Sequence, residues 1–543
     1  MHGTFLLYIC LLAAILFLVM LAQRLKLSYP IMLVLGGLAL SFIPRLPNIT
    51  IDPELIFVIF LPPLLYEAAW QTSWKELWRW RRVIGSFAFI IVILTSFAIA
   101  FVSSHFIPGF TLALGFLLGG IISPPDAVAA TSVLKGVKVP RRLLSIVEGE
   151  SLLNDASSLI VFRFALIAVG TGRFVFREAA LSFVIVVVMG IVTGLVIAML
   201  FYAVHRWLPT TPNINVVLTF IAPYLMYIIA ENFHFSGVLA VVSGGLFLSV
   251  RSNEIFDHRS RFRGENVWST IGFALNGLVF MLIGLQLPIV VRALGRDGLE
   301  DGILYGLLIS GTLIVLRLLC TLGASVFTVV ISHVITTADN KPGWRGPLVF
   351  GWAGMRGVVS LAAAMSIPLT MDNGAPFPQR NLILFITFMV ILVTLVFQGL
   401  TLPWVARWAN VEERDFTLPP EEQEIHIRKK MAVAALKLLH KKYASEIHDN
   451  ELVQVLHAKL ENDTRLSERL QHPGSGEEPA TVAIDRYREV YSHIIFEQRR
   501  LLEELNKKSE VDENIIRKFS GMLDLDEEKV RLQYGVEGVD DGE

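Results

Sequence analysis

The first 409 residues are a succession of apolar runs, most of them close to the length that crosses a lipid bilayer. A spanning helix needs about 20 mainly apolar residues, and fewer where it is broken. Thirteen segments qualify: 5–22, 30–43, 53–70, 83–104, 110–134, 142–170, 179–205, 214–231, 235–250, 267–291, 303–334, 347–369 and 380–407. In lipid every backbone N–H and C=O must be satisfied within the protein, which leaves helices or closed barrels. Barrel strands alternate apolar and polar residues, and these runs do not. The expected fold class is an all-α polytopic membrane protein of about 13 transmembrane helices with a helical tail.

The charges divide the chain in two. Residues 1–409 hold 27 Lys+Arg and 18 Asp+Glu, whereas residues 410–543 hold 20 and 30. The first part is read as the transmembrane domain and the second as a cytoplasmic helical tail. The tail opens on a Pro-containing linker, Leu418 to Glu424, and continues in amphipathic stretches at 421–443, 448–470 and 480–508, with a break at Pro473-Gly474-Ser475-Gly476. It has no Gly-rich nucleotide loop and no metal-ligand spacing; the plain reading is a solvated helical appendage, and the functional reading is a regulatory or dimer-supporting domain. No basic stripe of the kind that binds nucleic acid exists outside short loops. Cys10 and Cys320 sit inside apolar runs and are read as packing residues, since two such residues make no disulfide framework. The first segment lacks a basic stretch before it, with Arg24 and Lys26 following it instead. It is therefore read as a retained helix rather than a cleaved signal peptide.

Loop charge gives the orientation. One set of loops carries 17 basic residues: Arg24, Lys26, Lys75, Arg79, Arg81, Arg82, Lys135, Lys138, Arg141, Arg142, Arg206, Arg251, Arg259, Arg261, Arg263, Lys341 and Arg345. The other carries six: Arg45, Arg173, Arg177, Arg292, Arg296 and Arg380. The positive-inside rule places the first set in the cytoplasm, with the N-terminus outside and the tail inside. The stretch Trp70–Arg82, WQTSWKELWRWRR, interleaves Trp with Lys and Arg and reads as an interfacial anchor.

The ionisable residues in the interiors of these segments are Glu67, Asp126, Glu148, Glu150, Asp155, Arg163, Arg317 and Arg356. A charge in a membrane is costly and is by default functional, with a structural ion pair as the plain alternative. The densest group is Glu148-Gly149-Glu150-Ser151-Leu152-Leu153-Asn154-Asp155. On a helix Ser151 and Asp155 share one face and Glu150 and Asn154 a neighbouring one. Asp155 then lies about 20 Å into its span, near mid-bilayer. Carboxylate, amide and hydroxyl oxygens suit a hard cation such as Na⁺, where nitrogen or sulfur would suit transition metals. A second group is Ser123-Pro124-Pro125-Asp126, where two prolines must break the span. Its counterpart is the interruption Gly351-Trp352-Ala353-Gly354-Met355-Arg356-Gly357. Paired broken helices in two halves of a chain point to a transporter site, and the spacing fits inverted repeats of spans 1–6 and 8–13 about span 7.

SPPDAVA, GESLLND about 22 residues later and GMRGVVSLA much further on resemble the monovalent cation–proton antiporter family, which includes NhaP-type bacterial exchangers and animal Na⁺/H⁺ exchangers. The resemblance covers about residues 5–409. It implies a thirteen-helix fold, usually a homodimer, with a core bundle of spans 4–6 and 11–13 moving against a scaffold. It also implies cation and proton binding at Asp126, Glu150, Ser151, Asn154 and Asp155, with Na⁺ at Asp155, Ser151 and Glu150. Arg356 and Glu67 are implied as a supporting ion pair, with Glu150 as the other candidate partner of Arg356. Two features depart from the family pattern: Pro125-Asp126-Ala127 stands where many members have Thr-Asp-Pro, and Arg163 lies two turns beyond Asp155.

Low dielectric disfavours the charged form of a carboxylate, so a cation and a proton compete for one group. A carrier that turns over loaded but not empty then exchanges the two. The expected function is Na⁺/H⁺ antiport by alternating access in the cell membrane, with no enzymatic step, no cofactor and no nucleic-acid partner. Electroneutral exchange is expected because Asn154-Asp155 stands where electrogenic relatives have two acids. The alternatives are a cation channel or uniporter of the same architecture, a K⁺/H⁺ exchanger, and a membrane-embedded enzyme. HExxH and GxGD motifs are missing for the last of these.

Overall fold

A computed structural model describes residues 2–43, 57–137, 139–172, 176–295, 298–333, 342–371, 374–413, 420–471, 480–506 and 513–534. Lys138, Arg45, Arg173, Arg296, Lys341, the start of the 53–70 segment and the Pro473–Gly476 break lie outside the described residues. The chain forms two compact units, Met1–Glu413 and Arg414–Glu543.

The first unit is a series of helices: α1 (His2–Arg24), α2 (Tyr29–Ser41), α3 (Leu61–Gln71), α4 (Trp74–Gly85), α5 (Val92–Phe106), α6 (Leu112–Ile122), α7 (Ala127–Leu134), α8 (Arg141–Thr171), α9 (Phe176–Trp207), α10 (Pro212–Asn232), α11 (Gly237–Val250), α12 (Ser252–Ile255), α13 (His258–Leu294), α14 (Leu299–Ile331), α15 (Arg345–Trp352), α16 (Val358–Met365), α17 (Arg380–Leu392) and α18 (Gly399–Ala409). Two π-helical segments, Ser86–Ile91 and Val393–Gln398, join α4 to α5 and α17 to α18. Seven of the resulting helices are long and apolar enough to cross a membrane, and α6 with α7 makes an eighth, bent by 40° at its break. The other predicted segments coincide with α2, α3, α11, the α15–α16 pair and the apolar stretch Ile9–Arg24 of α1, so the count of thirteen rests on the sequence alone. The basic-aromatic stretch, expected as an anchor outside the span that starts at residue 83, is helical. It runs unbroken into that span as one helix, Trp74–Phe106.

Local chemistry sets the helix starts. Thr111, Asp126, Thr211, Ser236 and Asp257 each accept a backbone N–H of their helix's first turn, satisfying donors that have no intrahelical partner. Pro30, Pro62 and Pro212 occupy first-turn positions where no N–H is needed. Small residues then let helices touch. A Cβ on Gly37 of α2 would lie 2.3 Å from the Met281 carbonyl oxygen of α13, and one on Gly284 would lie 2.2 Å from that of Val34. Membrane helices lack a hydrophobic drive toward one another and gain from such close backbone approach.

The apolar interior falls into three main clusters. One joins α3, α9, α10, α11 and part of α8 and α13. The second gathers α1, α2, α7, α15 and α18, and the third gathers α6, the far end of α8, α14 and α17. The halves α6 and α7 thus pack into different clusters, and the break between them lies at the seam. In the second unit α19 (Pro420–Lys442), α20 (Glu446–Asp449), α21 (Glu451–Gln471), α22 (Ala480–Asn506) and α23 (Glu513–Tyr534) are all helical. There Lys429 pairs with Glu468 at 3.2 Å, and Arg499 with Asp524 and Glu527 at 2.6 Å.

Candidate functional site: two broken helices crossing beside α8

Pro124 and Pro125 stop α6 and leave Ser123–Asp126 unwound before α7 begins. The second break, between α15 and α16, unwinds Ala353–Gly357. The two breaks meet. The Asp126 N–H donates to the Met355 carbonyl at 2.7 Å. A Cβ on Gly357 would lie 1.8 Å from Asp126 Oδ2, so only glycine fits there. Asp126 Oδ1 accepts the Val128 N–H at 2.8 Å as the cap of α7. Its carboxylate therefore lies at the N-termini of both α7 and α16, where helix dipoles favour negative charge.

Helix α8 lies against this crossing and stitches itself to it. Ser151 Oγ accepts the Ala127 N–H at 3.2 Å. Asn154 Nδ2 donates to the Pro125 carbonyl at 3.1 Å, one of the groups freed by the break. Ser158 donates to the Gly120 carbonyl at 2.7 Å. With its donor so used, the buried Asn154 Oδ1 has no partner among the described residues. Asp155 follows it at 7% exposure, with no hydrogen-bond donor on its carboxylate among the described residues and with Asp126 within electrostatic range. The arrangement offers oxygen acceptors of carboxylate, amide and hydroxyl type, which suits an alkali cation or a proton. Among the described residues no His/Cys/Asp/Glu group of the size that holds a transition metal occurs.

One sequence expectation, the Arg356–Glu67 pair, needs correction, and a second residue has an unforeseen partner. Glu150, expected to ligate Na⁺ and to be a candidate partner of Arg356, is held by Arg317. Arg317 Nη1 and Nη2 donate to its two oxygens at 2.9 and 2.8 Å, and both side chains are buried. Each of its oxygens thus accepts from α14, and Glu150 also lies within electrostatic range of Arg356. Arg356, expected to pair with Glu67, is 1% exposed, and its Nε and Nη1 have no hydrogen-bond partner among the described residues. Its backbone N–H donates to Thr394 Oγ1 at 3.1 Å, inside the second π segment. Glu67 is half-buried, accepts from Gln71 at 3.1 Å and lies against Gly272 of α13. Arg317 was visible in the sequence as a charge within an apolar run, and the cost of such a charge was the signal that could have found its role. Arg163 has a scaffold role: it pairs with Glu231 of α10 at 2.7 Å, and Glu231 also accepts the Gly237 N–H that starts α11.

Interrupted helices crossing at a carboxylate inside an apolar bundle define a secondary ion transporter. Residues 11–408 match the family model described as sodium/hydrogen exchanger, transmembrane, and the chain belongs to that family. It is 32% identical to a Mycobacterium tuberculosis protein titled an uncharacterized Na(+)/H(+) exchanger, over 96% of this chain and 95% of that one. It is 36% identical to the sodium, potassium, lithium and rubidium/H(+) antiporter of Bacillus subtilis, over 69% of this chain and 57% of the relative. It is 33% identical to the low-affinity Na(+)/H(+) antiporter NhaS1 of Synechocystis, over 70% and 69%. In fold it resembles the sodium proton antiporter MjNhaP1 of Methanocaldococcus jannaschii, with a TM-score of 0.60 at 19% identity over 74% of this chain and 97% of that one.

Proposed function

We propose that this chain exchanges Na⁺ for H⁺ by alternating access, with Asp155 as the group for which the two cargoes compete. The observation that carries this reading is local. At the crossing of the two broken helices, and among the described residues, no hydrogen bond reaches the Asp155 carboxylate and the buried Oδ1 of its neighbour Asn154 has no partner, while the nearby acid Glu150 accepts from Arg317. Ser151 and Asp126 complete the acceptor set at the helix ends. A bound Na⁺ displaces the proton from Asp155, and a proton displaces Na⁺. One competing carboxylate supports exchange of one cation per proton, hence electroneutral transport. The cargoes are the only small molecules involved, with no resident cofactor and no covalent step.

The finer assignments belong to the same proposal. The loop charges support a cell-membrane protein with its N-terminus outside and its tail in the cytoplasm, and the family supports a homodimer. The tail, Arg414–Glu543, is assigned to regulation. Relatives named for potassium, lithium and rubidium as well as sodium make those ions the competing cargoes.

Everted vesicles carrying a ΔpH-quenched dye provide the test. Na⁺ should dissipate the gradient, with Li⁺ and K⁺ ranked beside it. A response to K⁺ alone would make the chain a K⁺/H⁺ exchanger. Cation uptake without proton movement would replace the antiport reading with a channel or uniporter.

A further inference from the structure

The Trp74–Phe106 helix is longer than a membrane requires. Its 33 residues extend about 50 Å at 1.5 Å per residue, against a hydrocarbon core of about 30 Å and about 40–45 Å with headgroups. The surplus is α4, and its two faces differ. Leu77, Trp80 and Ile84 turn inward, the last two buried. Outward are Lys75, Arg79, Arg81 and Arg82, all exposed, with Trp74 and Trp78 at 44% and 55% exposure. The helix's one acid, Glu76, accepts from Trp80 Nε1 at 3.3 Å. Trp74 and Trp78 stack at 5.6 Å, and the Arg81 guanidinium lies 4.5 Å over the Trp78 ring while donating to the Trp78 carbonyl at 2.6 Å. A rigid basic fork backed by indoles, at headgroup depth, complements an anionic headgroup rather than an acyl chain.

The inner face connects this surface to the transport machinery. A Cβ on Gly149, between Glu148 and Glu150, would lie 2.6 Å from Ile84 Cδ1, so α4 rests directly on α8 at its acidic motif. The π segment that follows frees a carbonyl from the regular ladder, and Ser157 of α8 donates to that of Ala88. Phe87 packs edge-on against Phe350 at 4.7 Å, and Phe350 lies 5.2 Å beneath the Arg317 guanidinium that grips Glu150.

We propose that the outer face of α4 is a binding surface for anionic phospholipid headgroups, and that its occupancy sets the rate of the exchange proposed above through the α4–α8 contact. The coupling half rests on that functional reading; the binding half does not.

The test uses the full chain in phosphatidylcholine vesicles with and without phosphatidylglycerol. Native mass spectrometry reads lipid retention, and Na⁺-dependent proton movement reads rate. Wild type should retain phosphatidylglycerol over phosphatidylcholine and run faster with it. A Lys75→Gln, Arg81→Gln, Arg82→Gln variant should bind about fivefold more weakly for each charge removed, or about 1 kcal/mol each. It should also keep the wild-type rate in phosphatidylcholine alone. The single variants Lys75→Gln and Arg81→Gln carry the same reading if the triple variant fails to insert, and Arg81→Lys, which keeps the charge but loses the planar fork, should bind more weakly than wild type and more tightly than Arg81→Gln. Equal retention of both lipids by wild type, or unchanged retention by the neutralised variants, would overturn the surface. Selective retention with no change in rate would overturn the coupling. Selective retention with no Na⁺-dependent exchange under any condition would overturn the functional reading while leaving the lipid surface standing.

Discussion

Glu150 and Arg317 meet through two parallel hydrogen bonds of 2.9 and 2.8 Å inside the membrane domain, 167 residues apart in the chain. A buried pair of this kind contributes less by its attraction than it costs when broken, because removing one partner strands the other's charge. The pair ties α8, which carries Asp155, to α14.

Glu150→Gln and Arg317→Gln should therefore each destabilise the protein by about 3–5 kcal/mol. Arg317→Lys should not restore stability, since a lysine offers no planar fork. Thermal unfolding in detergent measures both. Wild-type melting of either Gln variant would remove the pair from its structural role.

Asp155→Asn keeps volume and removes the titrating group. Exchange should vanish while the protein still inserts, because a buried carboxylate with no partner is itself unfavourable. In the wild type, competition between Na⁺ and H⁺ makes apparent Na⁺ affinity weaken as pH falls. Proteoliposome uptake at several pH values checks both outcomes, and exchange at the wild-type rate by Asp155→Asn would move the site elsewhere.

Asn154→Asp should leave Pro125's carbonyl without its amide donor and add an acid beside Asp155. The two acids would titrate as a coupled pair. Transport should become sensitive to membrane potential or fail, as valinomycin-clamped vesicles would show. Potential-independent exchange at the wild-type rate would contradict the one-carboxylate reading.

Gly284→Ala places a Cβ 2.2 Å from a backbone oxygen of α2. No rotamer can relieve that contact, so the cost should exceed the roughly 1–3 kcal/mol of ordinary overpacking. Gly311, with open space around it, is the control, and Gly311→Ala should melt like wild type. Equal melting of the two variants would refute the close α2–α13 approach.

Removal of the tail after Glu413 should leave exchange in place, since every acceptor at the crossing precedes it. Removal of Glu413 as well should do more harm, because its carboxylate accepts the Arg141 N–H at 2.9 Å where α8 begins. Vesicle assays on the two truncations separate these outcomes.

Both helix breaks were legible in the chain because proline and glycine leave a local mark: Pro124-Pro125 and Gly354 to Gly357 lie in the unwound stretches. Asp155 with Asn154 and Ser151 was legible because helical spacing alone groups them. The partner of Glu150 was not. The sequence offered Glu67 and Glu150 to Arg356, and only the fold brings Arg317 of α14 to Glu150. The π segments were also invisible, since SFAFII and VTLVFQ have the composition of any apolar helix. The helical run from Trp74 was obscured because charge, which marks a loop between spans, here covers one face of a helix.

The hydrogen bond from Asp126 to Met355 also bears on how the chain is made. Residues 112–134 leave the ribosome long before Met355 exists, and each half-helix is too short to be stable alone. The contacts from Ser151, Asn154 and Ser158 come from the very next helix. The first broken span is thus braced by its immediate successor during synthesis. Closing the crossing with α15 and α16 is a late event of assembly.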